Sequence, residues 1–477
     1  MNSYDIAIIG GGVVGSAIAR ELSRFRLAII LFEKEEELTF GVSKSNSGII
    51  HPGTQNPSGS LKGRLCVEGN RRIRTVAAEL GVDFKEVGEL IVAFSEDEIP
   101  RLFGLKREAR SLGVPGLAIV DRRWLRRHEP NLSEKALAAL YAPTAGIISP
   151  YRLVYDLSEN ARRNGVEIFT RTRVEHIVKT GGTFELHTTG GTYRSKFVVN
   201  AAGLFADEVS RMVGVGSFEI RPRKGEEFLL DKKREHITNH LLFPLPSRTS
   251  KGVLVIRTAD GNPMIGPTAE DITDKEDLST SDEGLKKVLA AVRMLIPTID
   301  ESDIIAYFAG LRPVAGDDFI IRHENEVAGF INVAGIQSPG LTASPAIASM
   351  VRDIVRRCGL PMKRKIFFHP HRKKTAHLFA VPFSKTRKLI ERDPSFGDIV
   401  CRCEMVSARE VKDAIQRGAT TLDGVKFRTR AQAGRCHGSF CTTRLLKILA
   451  EEKKLPLTAI TKKGAGSEVV RKARRHA

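Results

Sequence analysis

Four cysteines in the last quarter of the chain have the spacing of a metal-binding site. Cys401 and Cys403 form a C-x-C pair, and Cys436 and Cys441 form a C-x4-C pair after 32 intervening residues. Four thiolates from two short loops can enclose a [2Fe-2S] cluster or a tetrahedral zinc ion, because both need four sulfur ligands. The spacing alone leaves iron-sulfur and zinc open.

A second pattern, near the N-terminus, is typical of dinucleotide binding. Gly10, Gly12 and Gly15 form G-x-G-x-x-G after an apolar run, and Glu33 closes the next apolar run 18 residues after Gly15. The glycines allow a tight turn, close approach of a pyrophosphate and close helix packing, and the acidic residue can accept hydrogen bonds from ribose hydroxyls. The pattern predicts a dinucleotide site without deciding between FAD and NAD.

The elements that must position these residues alternate between strand and helix. Residues 4–32 read as one strand, turn, helix and strand unit. Further strand-like runs and helical patterns follow in alternation, which predicts a mixed α/β fold. The strand-like runs are 89–93, 195–200, 227–230, 252–256 and 330–333, and the helical patterns are 152–164, 282–295, 407–416 and 442–452.

Composition and charge narrow the classes of protein. The chain has 477 residues, of which 42% are hydrophobic, so it can bury a sizeable core. No apolar run approaches the roughly 18 residues of a membrane helix, and the N-terminus lacks a signal-peptide layout. Six cysteines are too few for a disulfide scaffold of this size, and we expect a reducing cytoplasm.

The net charge of +19 lies almost entirely at the C-terminal end. Residues 361–477 hold 28 Lys+Arg against 10 Asp+Glu, which leaves 47 against 46 for residues 1–360. A basic region can attract nucleic acid, an anionic membrane surface or an acidic protein. We expect no nucleic-acid binding, because no nucleic-acid module is recognisable and only 6% of the residues are aromatic.

Four segments resemble the flavin-contacting segments of the D-amino-acid oxidase-like FAD superfamily. They are 44–53 (KSNSGIIHPG), 198–207 (VVNAAGLFAD), 309–313 (AGLRP) and 334–346 (AGIQSPGLTASPA). The similarity spans residues 1 to about 355 and is strongest to the anaerobic-type glycerol-3-phosphate dehydrogenases and the L-2-hydroxyglutarate dehydrogenases. It implies FAD as the cofactor, and no second G-x-G-x-x-G is present for NAD. The implied FAD contacts are Gly10, Gly12, Gly15, Glu33, Lys34, Ser45, Asn46, Ser47, Gly48, Val174, Ala202, Gly203, Gly310, Gly335, Gly340, Leu341 and Thr342.

The cysteine region carries a second resemblance. Residues 397–455, which include GDIVCRCE and GRCHGSFC, resemble the bacterioferritin-associated ferredoxin-like [2Fe-2S] domain. The resemblance implies that Cys401, Cys403, Cys436 and Cys441 hold a [2Fe-2S] cluster, with zinc the less favoured alternative. A flavin takes two electrons together as hydride, whereas such a cluster passes electrons singly, so the pair would form an electron exit.

Together the resemblances imply an α/β fold with an interleaved arrangement of domains. A Rossmann-like FAD domain is expected over residues 1–84, 146–215 and 326–360. An α+β substrate domain built on an antiparallel sheet is expected over 85–145 and 216–325. After a linker at 361–396, a small mainly helical [2Fe-2S] domain would span 397–455 and a basic tail 456–477.

Oxidation of a hydroxyl group at a flavin requires a proton acceptor and, for an anionic substrate, a cation. Arg312, in the AGLRP segment, is the candidate to bind a carboxylate or phosphate through its planar fork. His51, in SGIIHPG, can accept a proton or contact the flavin, although a structural role fits equally. Lys251 or Arg257 can supply a second positive contact, with an ordinary sheet-end cation as the alternative.

The sequence therefore predicts an FAD-dependent dehydrogenase that oxidises glycerol 3-phosphate to dihydroxyacetone phosphate, with electrons leaving through the [2Fe-2S] cluster. The alternatives are an L-2-hydroxyglutarate or other 2-hydroxy-acid dehydrogenase, an amine dehydrogenase of the proline or sarcosine type, and a non-catalytic electron-transfer subunit. The expected partners are a small anionic substrate and a second oxidoreductase subunit or small electron-transfer protein. We expect a cytoplasmic protein without a membrane span, for which peripheral contact with the inner face of the membrane stays open. Basic residues that can attract an acidic acceptor are Arg402, Lys426, Arg428, Arg430 and Arg435.

Overall fold

The computed structural model describes residues 3–247, 251–372 and 376–471. The α-helices in these ranges are α1 (Val13–Leu22), α2 (Leu61–Leu80), α3 (Ile99–Ser111), α4 (Arg122–His128), α5 (Pro150–Arg163), α6 (Ala206–Arg211), α7 (Asp282–Leu295), α8 (Gly340–Arg357), α9 (Phe383–Arg392), α10 (Ala408–Gln416), α11 (Leu422–Thr429) and α12 (Thr442–Lys453). The strands are β1 (Ser3–Ile9), β2 (Ile29–Phe32), β3 (Ile49–Ile50), β4 (Phe84–Glu86), β5 (Glu89–Ala93), β6 (Ala118–Asp121), β7 (Ala138–Ala142), β8 (Gly146–Ile148), β9 (Val166–Phe169), β10 (Val174–Thr180), β11 (Thr183–Thr188), β12 (Gly191–Asn200), β13 (Arg221–Leu230), β14 (Leu241–Pro244), β15 (Leu254–Ile256), β16 (Met264–Gly266), β17 (Glu270–Asp271), β18 (Ile304–Val314), β19 (Ile320–His323), β20 (Phe330–Ala334), β21 (Ile399–Cys401) and β22 (Val406–Ser407).

An eight-stranded sheet forms the nucleotide-binding part of the fold. Its parallel centre has the order β20, β12, β1, β2, β9, and β10, β11 and β19 add antiparallel pairs. The centre of this sheet is apolar because the strands of a parallel sheet are covered on both faces, and β2 is buried throughout. On one side, α8 packs against α1 and α2, and α1 also packs against α5. This confirms the predicted Rossmann-like core.

A nine-stranded, largely antiparallel sheet forms the second layer of the catalytic part. Its order is β17, β13, β16, β15, β14, β5, β7, β6, and β18 pairs with the other edge of β13 along almost its full length. Hydrophobic residues from both faces of this sheet are buried, and α7 packs on one face with Val288 and Val292 fully buried. The helix begins where sequence patterning places it, because Ser281 accepts a hydrogen bond from the amide of Gly284. A small sheet of β3, β8 and β4 stands apart.

The C-terminal part is a compact unit of helices around the hairpin of β21 and β22. Its core is formed by α10, α11 and α12, with Val411, Val425 and Leu445 fully buried. A capping box between Ser407 and Glu410 starts α10. This part is the small, mainly helical domain that the sequence predicts.

The division of the chain differs in detail from the predicted ranges. Residues up to His371 belong to the catalytic unit, and residues 35–38 belong with the C-terminal unit. The reason is backbone pairing of the stretch predicted as a linker: Arg26 N donates to Lys363 O, and Lys365 N donates to Arg24 O, both at 2.9 Å. The predicted linker also contains a regular helix, α9.

The predicted basic tail is also partly folded. Ile460 is 1% exposed, and Lys462 Nζ lies 2.9 Å from a carboxylate oxygen of Asp423 on α11. Residues 456–471 therefore pack on the C-terminal unit, and residues 472–477 lie outside the described ranges. No helix in the described part of the chain is both long enough and apolar enough to span a bilayer.

Candidate active site and cluster site

The predicted nucleotide-binding residues lie at one edge of the parallel sheet. Ile9, Phe32 and Asn200 are paired in register as the last residues of β1, β2 and β12. Carboxyl ends of parallel strands meet at the same edge of a sheet, where open α/β folds bind nucleotides. The residues that follow these ends, and the end of the neighbouring β20, are Gly10, Glu33, Lys34, Ala202, Gly203 and Gly335.

The glycine turn between β1 and α1 leaves no room for side chains. Gly10 has a φ of +109°, and a Cβ there would overlap the carbonyl oxygen of Ala201. A Cβ at Gly15 would overlap the carbonyl oxygen of Gly10 itself. Glu33 Oε2 accepts a hydrogen bond of 2.7 Å from the amide of Gly11, which holds the acidic residue against the turn. This arrangement fits the pyrophosphate and ribose of a dinucleotide.

The segment predicted to contact the flavin ring is held against β18. A Cβ at Gly310 on β18 would overlap the carbonyl oxygen of Ser45. Asn46 fixes the turn, since its amide donates to Ser43 O at 2.6 Å and its oxygen accepts from Gly48 N at 2.9 Å. The remaining predicted contacts lie at or near the same segments: Gly12 before α1, Ser47 in the turn, Val174 at the start of β10, and Gly340, Leu341 and Thr342 in the first turn of α8. Their contacts with FAD stay predictions.

His51 is buried and fixed from several sides. Its amide donates to Thr342 Oγ1 at 2.9 Å, and its carbonyl oxygen accepts from Asn70 Nδ2 at 3.0 Å. Its ring nitrogen Nε2 lies 3.2 Å from Ser338 Oγ. Burial holds the pKa of His51 well below its ordinary value, and the charge of Lys251 acts in the same direction. The ring is therefore neutral near pH 7, the form that can accept a proton.

Lys251 shares this buried region with His51. Burial lowers the pKa of Lys251, and Arg312 adds to the lowering, while Cys66 and Glu89 act to raise it. The other predicted cation, Arg257, directly follows β15, and its role stays a prediction. The structure thus brings His51, Lys251 and Arg312 into one electrostatic environment.

Arg312 lies across the pairing of β13 and β18. It stands opposite Arg223, and its guanidinium reaches over Gly225, where a Cβ would lie 2.6 Å from Arg312 Nη2. Its Nη1 and Nη2 donate to the carbonyl oxygen of Thr268 at 3.5 and 3.4 Å. Because Gly310, on the same face of β18, touches Ser45, this face is turned toward the predicted flavin segment.

Two buried carboxyl groups of this region were missed as site residues by sequence reasoning. Glu89 is fully buried beside Lys251 and accepts a hydrogen bond from Thr54 Oγ1. Glu227 is 4% exposed beside Arg312. Burial raises the pKa of each to about 7, against the lowering effect of Thr54 and Lys251 on Glu89 and of Arg312 on Glu227. Glu89 could have been noticed in the sequence, because it is a charged residue at the start of the apolar run ELIVA (89–93).

The four predicted cluster ligands form two close pairs in the structure, and each pair joins one cysteine of the C-x-C motif to one cysteine of the C-x4-C motif. Cys403 Sγ lies 3.5 Å from Cys436 Sγ, and the thiols of Cys401 and Cys441 share a hydrogen bond. Two sulfurs bound at about 2.3 Å to one tetrahedral metal stand about 3.8 Å apart, close to the observed spacing. Among the described residues, no group of three or more His, Cys, Asp or Glu side chains is gathered as a metal site.

Backbone amides surround these sulfurs. The hydrogen bond from Cys441 lowers the pKa of Cys401 to about 6, and the amides of Gln432, Glu404 and Cys403 act in the same direction against burial. Gly434 allows the two loops to approach, because a Cβ there would overlap Cys403 Cβ. Amide groups directed at sulfur stabilise the anionic ligands of a cluster. The donor set therefore fits an iron-sulfur cluster.

The five basic residues near the ligands fall into different environments. Arg430 is paired with Glu404 at 3.2 Å, and Arg428 with Glu37 of the same unit at 2.8 Å. Burial lowers the pKa of Lys426. Arg402 and Arg435 are exposed. Two of the basic residues predicted to attract an acceptor are thus engaged in ion pairs within the C-terminal unit.

A glycine turn at the carboxyl edge of a parallel sheet, together with a second, largely antiparallel sheet, is the architecture of a dinucleotide-dependent enzyme. The family model "FAD dependent oxidoreductase" matches residues 5–354, and the model "BFD-like [2Fe-2S] binding domain" matches residues 399–451. The chain belongs to the FAD-dependent oxidoreductase family and carries a C-terminal [2Fe-2S]-binding domain. The predictions of FAD and an iron-sulfur cluster as cofactors are confirmed.

Individual proteins of known name or structure are also similar to this chain. The chain is 42% identical over 470 residues to a glycerol 3-phosphate dehydrogenase of Caloramator mitchellensis, covering 98% of both proteins. It is 30% identical to the mitochondrial L-2-hydroxyglutarate dehydrogenase of Bos taurus, covering 75% of this chain and 89% of the relative. The solved L-alpha-glycerophosphate oxidase of Mycoplasma pneumoniae, with FAD bound, matches 79% of this chain and 100% of its own, with a TM-score of 0.75 and 29% identity.

Proposed function

We propose that this enzyme oxidises glycerol 3-phosphate to dihydroxyacetone phosphate and passes the electrons through its [2Fe-2S] cluster to an acceptor on another protein. The observation that carries the proposal is the grouping of a neutral histidine, His51, with two cations, Lys251 and Arg312, next to the flavin segment. A relative that is similar along 98% of both chains is a glycerol 3-phosphate dehydrogenase, which supports the same substrate.

In this proposal each residue has one task. Arg312 binds the phosphate through its planar guanidinium, and Lys251 adds a second positive charge. His51 Nε2 takes the proton of the C2 hydroxyl, which on binding replaces Ser338 Oγ, 3.2 Å away, as the hydrogen-bond partner of this nitrogen. The buried position of His51 excludes water from the proton transfer. When bound, FAD supplies the hydride acceptor.

The C-terminal domain supplies the exit for electrons in the same proposal. Cys403 and Phe440 are exposed, the latter by 83%, and Arg402 and Arg435 lie on the same loops. An exposed ligand flanked by basic residues suits an acidic electron-transfer protein or a second oxidoreductase subunit. Because thiolate ligands require reducing conditions, we place the protein in the cytoplasm.

An anaerobic visible spectrum tests this function. The purified protein is measured before and after addition of glycerol 3-phosphate, and iron and zinc are quantified in the same sample. We expect flavin and iron-sulfur bands that both bleach, with iron present and zinc absent. Bleaching by L-2-hydroxyglutarate or proline but not by glycerol 3-phosphate would replace the proposed substrate. No bleaching by any of the three would favour an electron-transfer subunit.

A further inference from the structure

The strand pairing brings an unsatisfied carboxyl group to the proposed anion site. Along β13, Arg223, Gly225 and Glu227 share one face, because side chains alternate along a strand. Arg312 stands opposite Arg223 and reaches over Gly225, so its guanidinium extends along β13 in the direction of Glu227. Glu227 is 4% exposed, and among the described residues its Oε2 has no hydrogen-bond partner.

The neighbours of Glu227 leave this oxygen without a donor. Arg312 is the charged group that acts on its carboxyl, and the approaching end of β16 offers Gly266, whose added Cβ would lie 3.4 Å from Glu227 Cγ. Arg223, on the same face, is occupied by Asp271, with two hydrogen bonds of 2.5 and 3.0 Å. A buried carboxyl oxygen without a partner destabilises the protein until it receives a hydrogen bond.

We propose that Glu227 is a specificity-determining residue that accepts a hydrogen bond from the terminal hydroxyl of the substrate. This inference rests on the proposed function, since an anion bound at Arg312 would bring the rest of the substrate beside Glu227. Glycerol 3-phosphate has that hydroxyl in addition to the one oxidised. A dicarboxylate such as L-2-hydroxyglutarate would bring a second anion there, and like charges at a buried site repel.

The test compares two phosphates that differ in one group. Propane-1,2-diol 1-phosphate retains the phosphate and the secondary hydroxyl but lacks the terminal hydroxyl. The second-order rate constant of flavin reduction is measured anaerobically at pH 8 for both. We expect the wild-type protein to prefer glycerol 3-phosphate by about 100-fold or more, because a site built to bind a hydroxyl rejects analogues without it. Glu227→Leu should reduce this preference to about fivefold or less, and Glu227→Gln, which keeps an acceptor oxygen, should retain most of it.

A binding measurement separates this role from effects on turnover. Dihydroxyacetone phosphate and 2-oxoglutarate are titrated into the oxidised protein, and binding is followed by the change in flavin absorbance. Glu227→Gln should bind 2-oxoglutarate about 10-fold more tightly than the wild type, because the repelling charge is gone. Glu226→Gln is the matched control: Glu226 is equally buried on the opposite face, hydrogen-bonded to Ser281, and its substitution should leave both preferences unchanged.

The outcomes distinguish this inference from the proposed function. If glycerol 3-phosphate reduces the flavin and Glu227→Leu keeps the wild-type preference, Glu227 does not contact the hydroxyl and the function stands. If glycerol 3-phosphate does not reduce the wild-type flavin, the proposed function fails, and equilibrium binding of the two phosphates then decides the role of Glu227. Equal affinity of the wild type for both phosphates would show that Glu227 does not recognise the terminal hydroxyl.

Discussion

The two sites of this protein treat exposure in opposite ways. In the catalytic unit, His51, Glu89 and Glu227 are each at most 9% exposed. In the C-terminal unit, one proposed ligand, Cys403, is exposed beside Arg402, and Phe440 of the other ligand loop is 83% exposed. Proton and hydride transfer benefit from the exclusion of water, whereas an electron that leaves for another protein needs a ligand near the surface. The difference in exposure therefore follows from what each site transfers: protons and hydride within the catalytic unit, and electrons to another protein at the cluster site.

The two sites also differ in the groups that lie beside their charged side chains. The catalytic unit places a buried carboxyl beside each cation, Glu89 beside Lys251 and Glu227 beside Arg312. The cluster loops direct backbone amides at the sulfurs instead, and at least two nearby arginines are engaged in ion pairs. Amide dipoles stabilise anionic sulfur without adding a net charge that must be compensated.

The largest expected effect is loss of the cluster. Cys441→Ser removes a buried cysteine that we propose as a ligand, at the start of α12, and we expect iron to fall below about a tenth of the wild-type content while the flavin spectrum is retained. Iron analysis and the visible spectrum measure this. Cys358→Ser, a cysteine outside the two pairs, is the control and should keep its iron. Full iron in Cys441→Ser would show that Cys441 is not a ligand.

Loss of the anion contact should come next. Arg312→Ala should lower kcat/KM for glycerol 3-phosphate by about 1000-fold, because a buried charge-assisted contact to phosphate is removed. FAD content should not change, and Arg312→Lys should recover part of the loss. Arg194→Ala, an exposed arginine paired with Glu185, is the control for general effects. An Arg312→Ala enzyme within tenfold of the wild type would exclude Arg312 from the substrate site.

His51→Gln should slow flavin reduction by about 100-fold or more while substrate binding changes little, since general bases contribute this much to proton transfer. The pH profile gives a second check. Burial holds the pKa of His51 well below its ordinary value. Protonation of His51 should therefore not slow flavin reduction by the wild type as the pH falls through 6.5. A loss of rate centred at 6.5 that disappears in His51→Gln would contradict the buried, neutral state. Stopped-flow absorbance measures both.

The last expected effect concerns stability rather than the chemistry of the enzyme. The pKa of Glu89 is raised from 4.5 to about 7 by burial, so the folded protein holds this proton more tightly than the unfolded chain. The resulting stability is fully present below pH 4.5 and is lost as pH rises through 7. Glu89→Gln cannot ionise, and relative to the wild type it should gain about 3 kcal/mol in unfolding free energy between pH 4.5 and pH 8.

Chemical denaturation at several pH values tests this difference. Glu175→Gln, an exposed residue of β10, is the control and should follow the wild type. Parallel curves for the wild type and Glu89→Gln would show that the pKa of Glu89 is the same in the folded and the unfolded protein.

Local signals explain what sequence reasoning found. The turn at Gly10 and Gly15 follows from spacing alone, because each glycine makes room for backbone within the same β1, α1 and β2 unit or its neighbour β12. The predicted helix at 282–295 and strand at 89–93 have those bounds in the structure, since capping and apolar patterning act within a few residues. Such signals predict the fold class and a dinucleotide site, whereas the choices of FAD and of an iron-sulfur cluster came from the resemblance of whole segments to known families.

By itself, the sequence determined the nucleotide turn, the presence of four thiols on two loops and the choice of Arg312 and His51 as candidates. Only the tertiary structure decided that Cys403 pairs with Cys436, and that Glu89 and Glu227 lie beside the two cations. The physical reason is that these contacts join residues far apart in the chain. Strand register decides which face of β5 or β13 is turned toward the site. The register depends on the neighbouring strands β14 and β18, which lie far away in the sequence and cannot be identified from a local pattern.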